Sequence, residues 1–217
     1  VTQRFFTSDY VEHAKLRDGT PVLLRLVTPE DKELLRREFD RWSDASRYAR
    51  FHGPKTRLSE EELRYLTEID QENHFALGAI REDGDGHGEP VGLGIARFIR
   101  LPDDEGTAEA AISVADHAQH KGLGRLLFMR LCAAAAERGI ERFRCDVLGN
   151  SPTTKALIDA VAPDHVAEVA DGVLSIEFAV PSVQPDVGHA APPEGGLYRF
   201  FRQVAQGAIE LARRLRT

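Results

Sequence analysis

Val114-Ala115-Asp116-His117-Ala118-Gln119-His120-Lys121-Gly122-Leu123-Gly124-Arg125 is the stretch that decides how this chain reads. An apolar run ends at Val114, a polar loop follows, and Gly122 and Gly124 open a long Leu/Ala-rich helical pattern. Strand, glycine loop, helix N-terminus is an order that builds an anion site. The first helical turn leaves backbone N–H groups unpaired, and the helix dipole favours negative charge there. Glycines let the backbone close on a phosphate with no Cβ in the way. Lys121 and Arg125 add positive charge. A lone glycine pair would read as an ordinary strand-to-helix turn. The spacing Gln119-x-x-Gly122-x-Gly124, five residues after a strand-ending valine, is more specific than that.

Outward from the loop, the chain alternates strand and helix patterns. Val11 to Leu16 and Val22 to Val27 read as strands joined by an Asp18-Gly19 turn. Thr28 is an N-cap with Pro29 at the first helical position. Leu34, Leu35, Phe39 and Trp42 give that helix its apolar face. Ser59 with Glu62 forms a capping box for a second helix marked by Leu63, Leu66 and Ile69. His74 to Ile80, Val91 to Ile99 and Ala108 to Val114 read as strands. The glycine-rich cluster 83–88 reads as a solvated turn, and 101–107 as an acidic loop. Leu123 to Arg138 is apolar around most of its circumference and stops at Gly139. Phe143 to Leu148 is a strand, a helix follows from Asn150 or Ser151 to about Val161, and two strands flank Asp171-Gly172. The pattern predicts a mixed α/β sheet. Residues 1–12 read as a peripheral N-terminal arm and 13–180 as the domain. Residues 181–196 are a Pro/Gly linker, and 197–217 an amphipathic C-terminal helix. That helix offers a face to its own domain, to a second subunit in a homo-oligomer, or to a membrane surface. Gly207 and several alanines favour protein.

The loop motif resembles the Q/R-x-x-G-x-G/A pyrophosphate loop of the GNAT superfamily of N-acetyltransferases, which bind acetyl-CoA. The resemblance implies the acyl-CoA N-acyltransferase fold, with acetyl-CoA as cosubstrate and no metal. It implies that Gln119, His120, Lys121, Gly122, Leu123, Gly124 and Arg125 hold the pyrophosphate. The strand before the loop and the strand after its helix would splay apart, with CoA in the gap. The first of these strands would bulge at its end. There the N–H groups of Ile112 and Val114 would meet the pantetheine arm and the acetyl carbonyl, and Asn150 would touch the same arm.

Acetyl transfer to a lysine-type amine, with a reference pKa of ~10.4, needs a base to remove the proton. On residue type alone Glu109 reads as a strand glutamate facing solvent or paired with an arginine such as Arg97. The run Ala108-Glu109-Ala110-Ala111-Ile112-Ser113-Val114-Ala115-Asp116 is similar to bacterial Pat-type protein lysine acetyltransferases, which implies Glu109 as general base. L-R-D-G-T-P-V-L-L-R from Leu16, T-P-E-D from Thr28, L-S-E-E-E-L-R-Y-L from Leu58 and H-F-A-L from His74 share that likeness. His74 ranks behind Glu109 as a second base. The segment Ser151 to Val161 lacks the tyrosine that many relatives use as general acid. The thiolate therefore leaves unaided, which a thiol pKa near ~8.5 permits, or another group donates.

Composition bounds the rest. The chain has 217 residues, with 28 basic against 35 acidic side chains and a net charge of −7. That argues against nucleic acid or an anionic membrane as main partner. No stretch reaches the ~20 apolar residues of a membrane-spanning helix. Two cysteines without ligand spacing, and no visible signal peptide, give the cytoplasm as the expected compartment. The expected activity is acetyl transfer to a protein lysine by direct attack. A small amine or amino acid is the enzyme alternative, and a non-catalytic CoA-binding or sensing protein is the alternative of another class.

Overall fold

The computed structural model describes residues 4–41, 56–81, 89–148, 166–170 and 173–180. The Asp18-Gly19 turn forms as the sequence predicts. Gly19 takes φ +84°, the left-handed conformation that favours glycine, and the Asp18 carboxylate accepts the Thr20 N–H. This turn joins β1 (Val11–Lys15) to β2 (Pro21–Leu26). Thr28 then starts a single 3-10 turn, Pro29–Asp31, which runs into α1 (Lys32–Arg41). The Ser59–Glu62 capping box closes in both directions and starts α2 (Glu60–Thr67). α1 and α2 pack on each other through Phe39, Leu58 and Leu63.

The remaining described elements are β3 (His74–Arg81), β4 (Val91–Leu101), β5 (Asp104–Val114), α3 (Leu123–Ala136), β6 (Arg142–Leu148), β7 (Val166–Ala170) and β8 (Val173–Ala179). Together the strands form one eight-stranded sheet in the order β1-β2-β3-β4-β5-β6-β8-β7. Every neighbouring pair is antiparallel except β5 and β6, which run parallel with α3 as their crossover. The mixed α/β sheet is therefore as expected.

A bulge in β4 assigns the helices to opposite faces. Ala79 pairs with Gly94 but Ile80 pairs with Gly92, so Leu93 is an extra residue. Parity flips across it. A Cβ on Gly92 would lie 2.7 Å from Glu38 Cγ of α1, whereas one on Gly94 would meet Leu127 and Leu123 of α3. The core lies mainly on the α3 side, where Leu123, Leu127, Leu131, Phe75, Phe98 and Phe143 are fully buried.

Three expectations change. The segment 101–107 is not an acidic loop: Leu101 pairs with Asp104 across a tight turn, and β5 starts there rather than at Ala108. The Asp104 carboxylate accepts the Gly106 N–H and the Thr107 hydroxyl, which satisfies this polar strand end locally. The N-terminal arm is not peripheral throughout, because Phe6 and Tyr10 are buried in the main core. The bulge expected at the end of β5 is absent, since its register with β4 runs without a shift from Ala108 to Val114. The turn cluster 83–88, the helix from Asn150 or Ser151 to Val161, the linker and the C-terminal helix lie outside the described residues.

Candidate active site

β5 and β6 stay paired over only three positions, Thr107 with Arg142, Ala108 with Phe143 and Glu109 with Arg144. β5 continues to Val114 without β6, so the two strands fork as expected. Backbone parity says which groups face the fork. Ala115 donates its N–H to Leu93 O of β4 at 2.9 Å, so odd-numbered residues of β5 point to β4 and even-numbered ones point away. The N–H groups of Ile112 and Val114 are thus aimed at the edge that β6 has left, while that of Ala110 still serves the last paired position, Glu109 with Arg144. No bulge is needed to expose them; the departure of β6 does so.

At the end of β5 the chain turns through a short 3-10 segment, Asp116–Ala118, into the glycine loop. Gln119 pins this turn, its Nε2 donating to Val114 O at 3.2 Å and to Asp116 Oδ1 at 3.0 Å. His120 has φ +63° and Gly122 φ +92°. Two left-handed residues around Lys121 are what reverse the chain into α3. Gly122 caps α3 without any side-chain hydrogen bond, and the first turn of α3 carries no acidic residue. Its leading N–H groups and its dipole therefore meet no acid of the helix's own first turn that would compete with an anion. The residues present fit a pyrophosphate on these grounds.

The β1–β2 turn closes over the loop, which the sequence did not reveal. Arg17 donates its N–H to Lys121 O at 3.0 Å, and Lys121 Nζ lies 3.0 Å from Asp18 Oδ2. Thr20 and Lys121 together hold the Asp18 carboxyl down at about 2. The Arg17 side chain stands 3.5 Å from where a Gly122 Cβ would be, so a third cation joins Lys121 and Arg125 at the loop. A turn motif such as Arg17-Asp18-Gly19-Thr20 says nothing about what it will touch.

Glu109 sits at the root of the fork. Its side chain lies on the α1/α2 face of the sheet, is exposed, and makes no hydrogen bond or ion pair with another described residue. The pairing with Arg97 that its residue type suggested does not form. Arg97, 4% exposed, is instead held by Leu66 O at 3.3 Å and by His74 Nε2 at 3.0 Å. A guanidinium can only donate, so His74 Nε2 is the acceptor. Burial, and then the Arg97 charge, push the His74 imidazole down to about 4. Its lone pair is already engaged by Arg97, which removes it as a competitor to Glu109.

Of the four tyrosines, Tyr10 is buried against Glu12 and Arg130, far along the sheet from the fork. Tyr65 lies on α2 against His74, with ring centroids 5.1 Å apart, and is exposed on the Glu109 face. Tyr48, Tyr198 and Asn150 lie outside the described residues. Among the described residues no cluster of metal-ligating side chains is present.

A mixed sheet that forks beside a glycine-capped helix is the fold of the acyl-CoA N-acyltransferases. The chain belongs to the acetyltransferase (GNAT) family, whose model matches residues 33–158. It is 30% identical over 176 residues to the acetyltransferase Pat of Mycolicibacterium smegmatis, a match that covers 78% of this chain and 49% of that protein. The chain thus spans about half the length of that relative. It is also similar to the crystal structure of the GNAT domain of S. lividans PAT, with TM-score 0.65 and 29% identity over 80% of this chain and 99% of that one. A structure of yncA, a putative acetyltransferase from Salmonella typhimurium with its cofactor acetyl-CoA, shares the fold. Its TM-score is 0.52, at 18% identity over 80% of this chain and 98% of that one.

Proposed function

We propose that this chain transfers an acetyl group from acetyl-CoA to the side-chain amine of a protein lysine, with Glu109 as general base. The observation that carries this reading is the position of Glu109. It is an exposed carboxylate without a described partner, at the root of a fork whose open edge presents N–H donors and whose far end is a glycine-capped helix N-terminus. Acetyl-CoA supplies the activated acyl carbon and a thiolate leaving group. Gly122, Gly124 and the N–H groups of the first α3 turn receive the pyrophosphate, with Arg17, Lys121 and Arg125 around it. The Ile112 and Val114 N–H groups orient the pantetheine arm and the acyl carbonyl. Glu109 takes the proton of the incoming ammonium, so that a neutral nitrogen attacks as the carbon–sulfur bond breaks. Family membership and the acetyl-CoA named with the Salmonella typhimurium structure support the cosubstrate. The likeness to Pat proteins supports a lysine over a small amine.

The test is CoA-thiol release from acetyl-CoA over a panel of lysine-bearing proteins, polyamines and amino acids. The expected result is release that depends on a protein acceptor and falls about 100-fold or more in Glu109→Gln, with acetyl-CoA affinity retained. Wild-type release by Glu109→Gln would move the base elsewhere. Tight acetyl-CoA binding without release to any acceptor would make the chain a CoA-binding protein.

A further inference from the structure

We propose that Glu177 on β8 is a positioning residue for Glu109: by holding Arg144 in an ion pair, it keeps a guanidinium off the base. The inference rests on Glu109 being that base. One row of cross-strand partners carries it. His74, Ile99, Glu109, Arg144 and Glu177 face one another in turn across β3, β4, β5, β6 and β8. Register partners share a face, and adjacent strands lie about 4.8 Å apart, so Arg144 stands between two carboxylates and can reach either. It takes Glu177, donating from Nη2 to Oε2 at 3.1 Å. The other Glu177 oxygen, Oε1, lies 2.8 Å from Nε of Arg142, so each oxygen holds one arginine.

Among the described residues, the charged and titratable groups around Glu109 are committed elsewhere. From β4 comes Arg97, tied to His74 and Leu66 O. From β6 come Arg142, shared between Asp104 and Glu177, and Arg144. From β3 comes His74, and from α2 comes Tyr65, whose ring lies tilted against it. β5 itself places only Thr107 and Ala111 on that face beside Glu109. A guanidinium released onto Glu109 would stabilise its ionised form and occupy the oxygens that must accept the substrate proton. An arginine placed next to the base is thus made harmless by an acid placed next to the arginine. The value of Glu177 lies in what its pair prevents, because an exposed pair of this kind adds little to stability.

The experiment is acetyl transfer by the full chain, measured against pH with acetyl-CoA and the acceptor found in the panel above. Glu177→Gln removes one charge without changing shape and should fold as the wild type does. The expected result is an acid limb of kcat/KM displaced downward by about 0.5–1 pH unit, with the plateau kcat about three- to tenfold lower. KM for acetyl-CoA should stay unchanged. Adding Arg144→Met to Glu177→Gln should restore both the limb and the plateau, which a merely structural role for Glu177 would not produce. A wild-type pH profile in Glu177→Gln overturns the inference, and so does a double variant that keeps the single variant's profile. If Glu109→Gln also transfers at the wild-type rate, the base assignment has failed as well. If Glu109→Gln is slow while Glu177→Gln keeps the wild-type profile, this inference alone has failed.

Discussion

His74 shows how one side chain trades a catalytic look for a structural duty. Its imidazole is half-buried, covered by the tilted Tyr65 ring on one side and bonded at Nε2 by Arg97. Neutral His74 is what Arg97 requires, and Arg97 in turn ties β4 to the end of α2. The linkage follows from the direction of the pKa. Folding lowers it from 6.5 to about 4, so between those values the unfolded chain binds more protons than the native one. The His74 contribution to stability is complete above pH 6.5 and is lost as pH falls toward 4. Urea midpoints measured across this window should fall on acidification, and less steeply in His74→Gln than in wild type. Parallel curves would mean that other groups govern the acid limb. The identity of His74 as a histidine near the acceptor face was legible in the sequence, but its role was not. That role depends on a cross-strand arginine two residues out of register, which no local pattern encodes.

At the level of elements, the glycine loop and α3 were readable because a left-handed glycine, a helix start and an apolar helix each leave a local signature. The fork was not readable from local pattern and came only through the family resemblance, because it is an event between β5 and β6, whose pairing stops while both strands continue. Nor was the Leu93 bulge, which depends on how β4 meets β3. The sequence misread Asp104 to Thr107 because acids and a glycine look like loop when their hydrogen bonds to Asp104 cannot be seen. Two glycines separate the packing role from the ligand role. A Cβ on Gly94 would lie 2.9 Å from Ser113 O and 3.0 Å from Leu127 Cδ1, and backbone cannot give way. Gly94→Ala should cost about 1–3 kcal/mol of unfolding free energy. A Cβ on Gly124 would meet only Val114 Cγ2, at 3.7 Å. Gly124→Ala should leave stability unchanged or raise it by about 0.5–1 kcal/mol, since alanine is the better helix former. If the loop receives a pyrophosphate, calorimetry should find CoA binding kept in Gly124→Ala, as the alanine allowed at this place in the motif implies, and lost in Gly124→Trp, whose ring would fill the space the anion needs. Unaltered affinity in Gly124→Trp would take the ligand away from the start of α3.

The whole molecule is closed by an arginine that belongs to no strand and no active site. Arg138 follows α3, and Gly139 with φ +71° turns the chain toward β6 just after it. Its side chain is nearly fully buried, 2% exposed, under a set of backbone carbonyls. Nε donates to Gln71 O at 2.7 Å, Nη1 to Ala134 O at 3.0 Å and Nη2 to Phe6 O at 2.9 Å. The guanidinium also stacks over Phe75, 4.5 Å from the ring centroid. Beside it, Glu137 accepts the N–H groups of Phe5 and Phe6. These two adjacent residues therefore bind the N-terminal segment, the chain entering β3 and the C-terminal end of α3 to one another. That is why Phe6 is core where its flanking sequence reads as a loose arm. Burial lowers the Arg138 pKa, yet a guanidinium stays charged at any ordinary pH, so its donors are always available. Replacing it by methionine keeps much of the volume and leaves three carbonyls in a dry site without donors. Arg138→Met should lower unfolding free energy by about 2–4 kcal/mol in urea titrations. Hydrogen exchange should show the Phe5 and Phe6 amides losing protection first, while CoA binding, proposed for the glycine loop at the opposite end of α3, should be unchanged. A variant that weakened CoA binding in proportion to stability would instead mean that the N-terminal tether and the loop respond as one unit through α3.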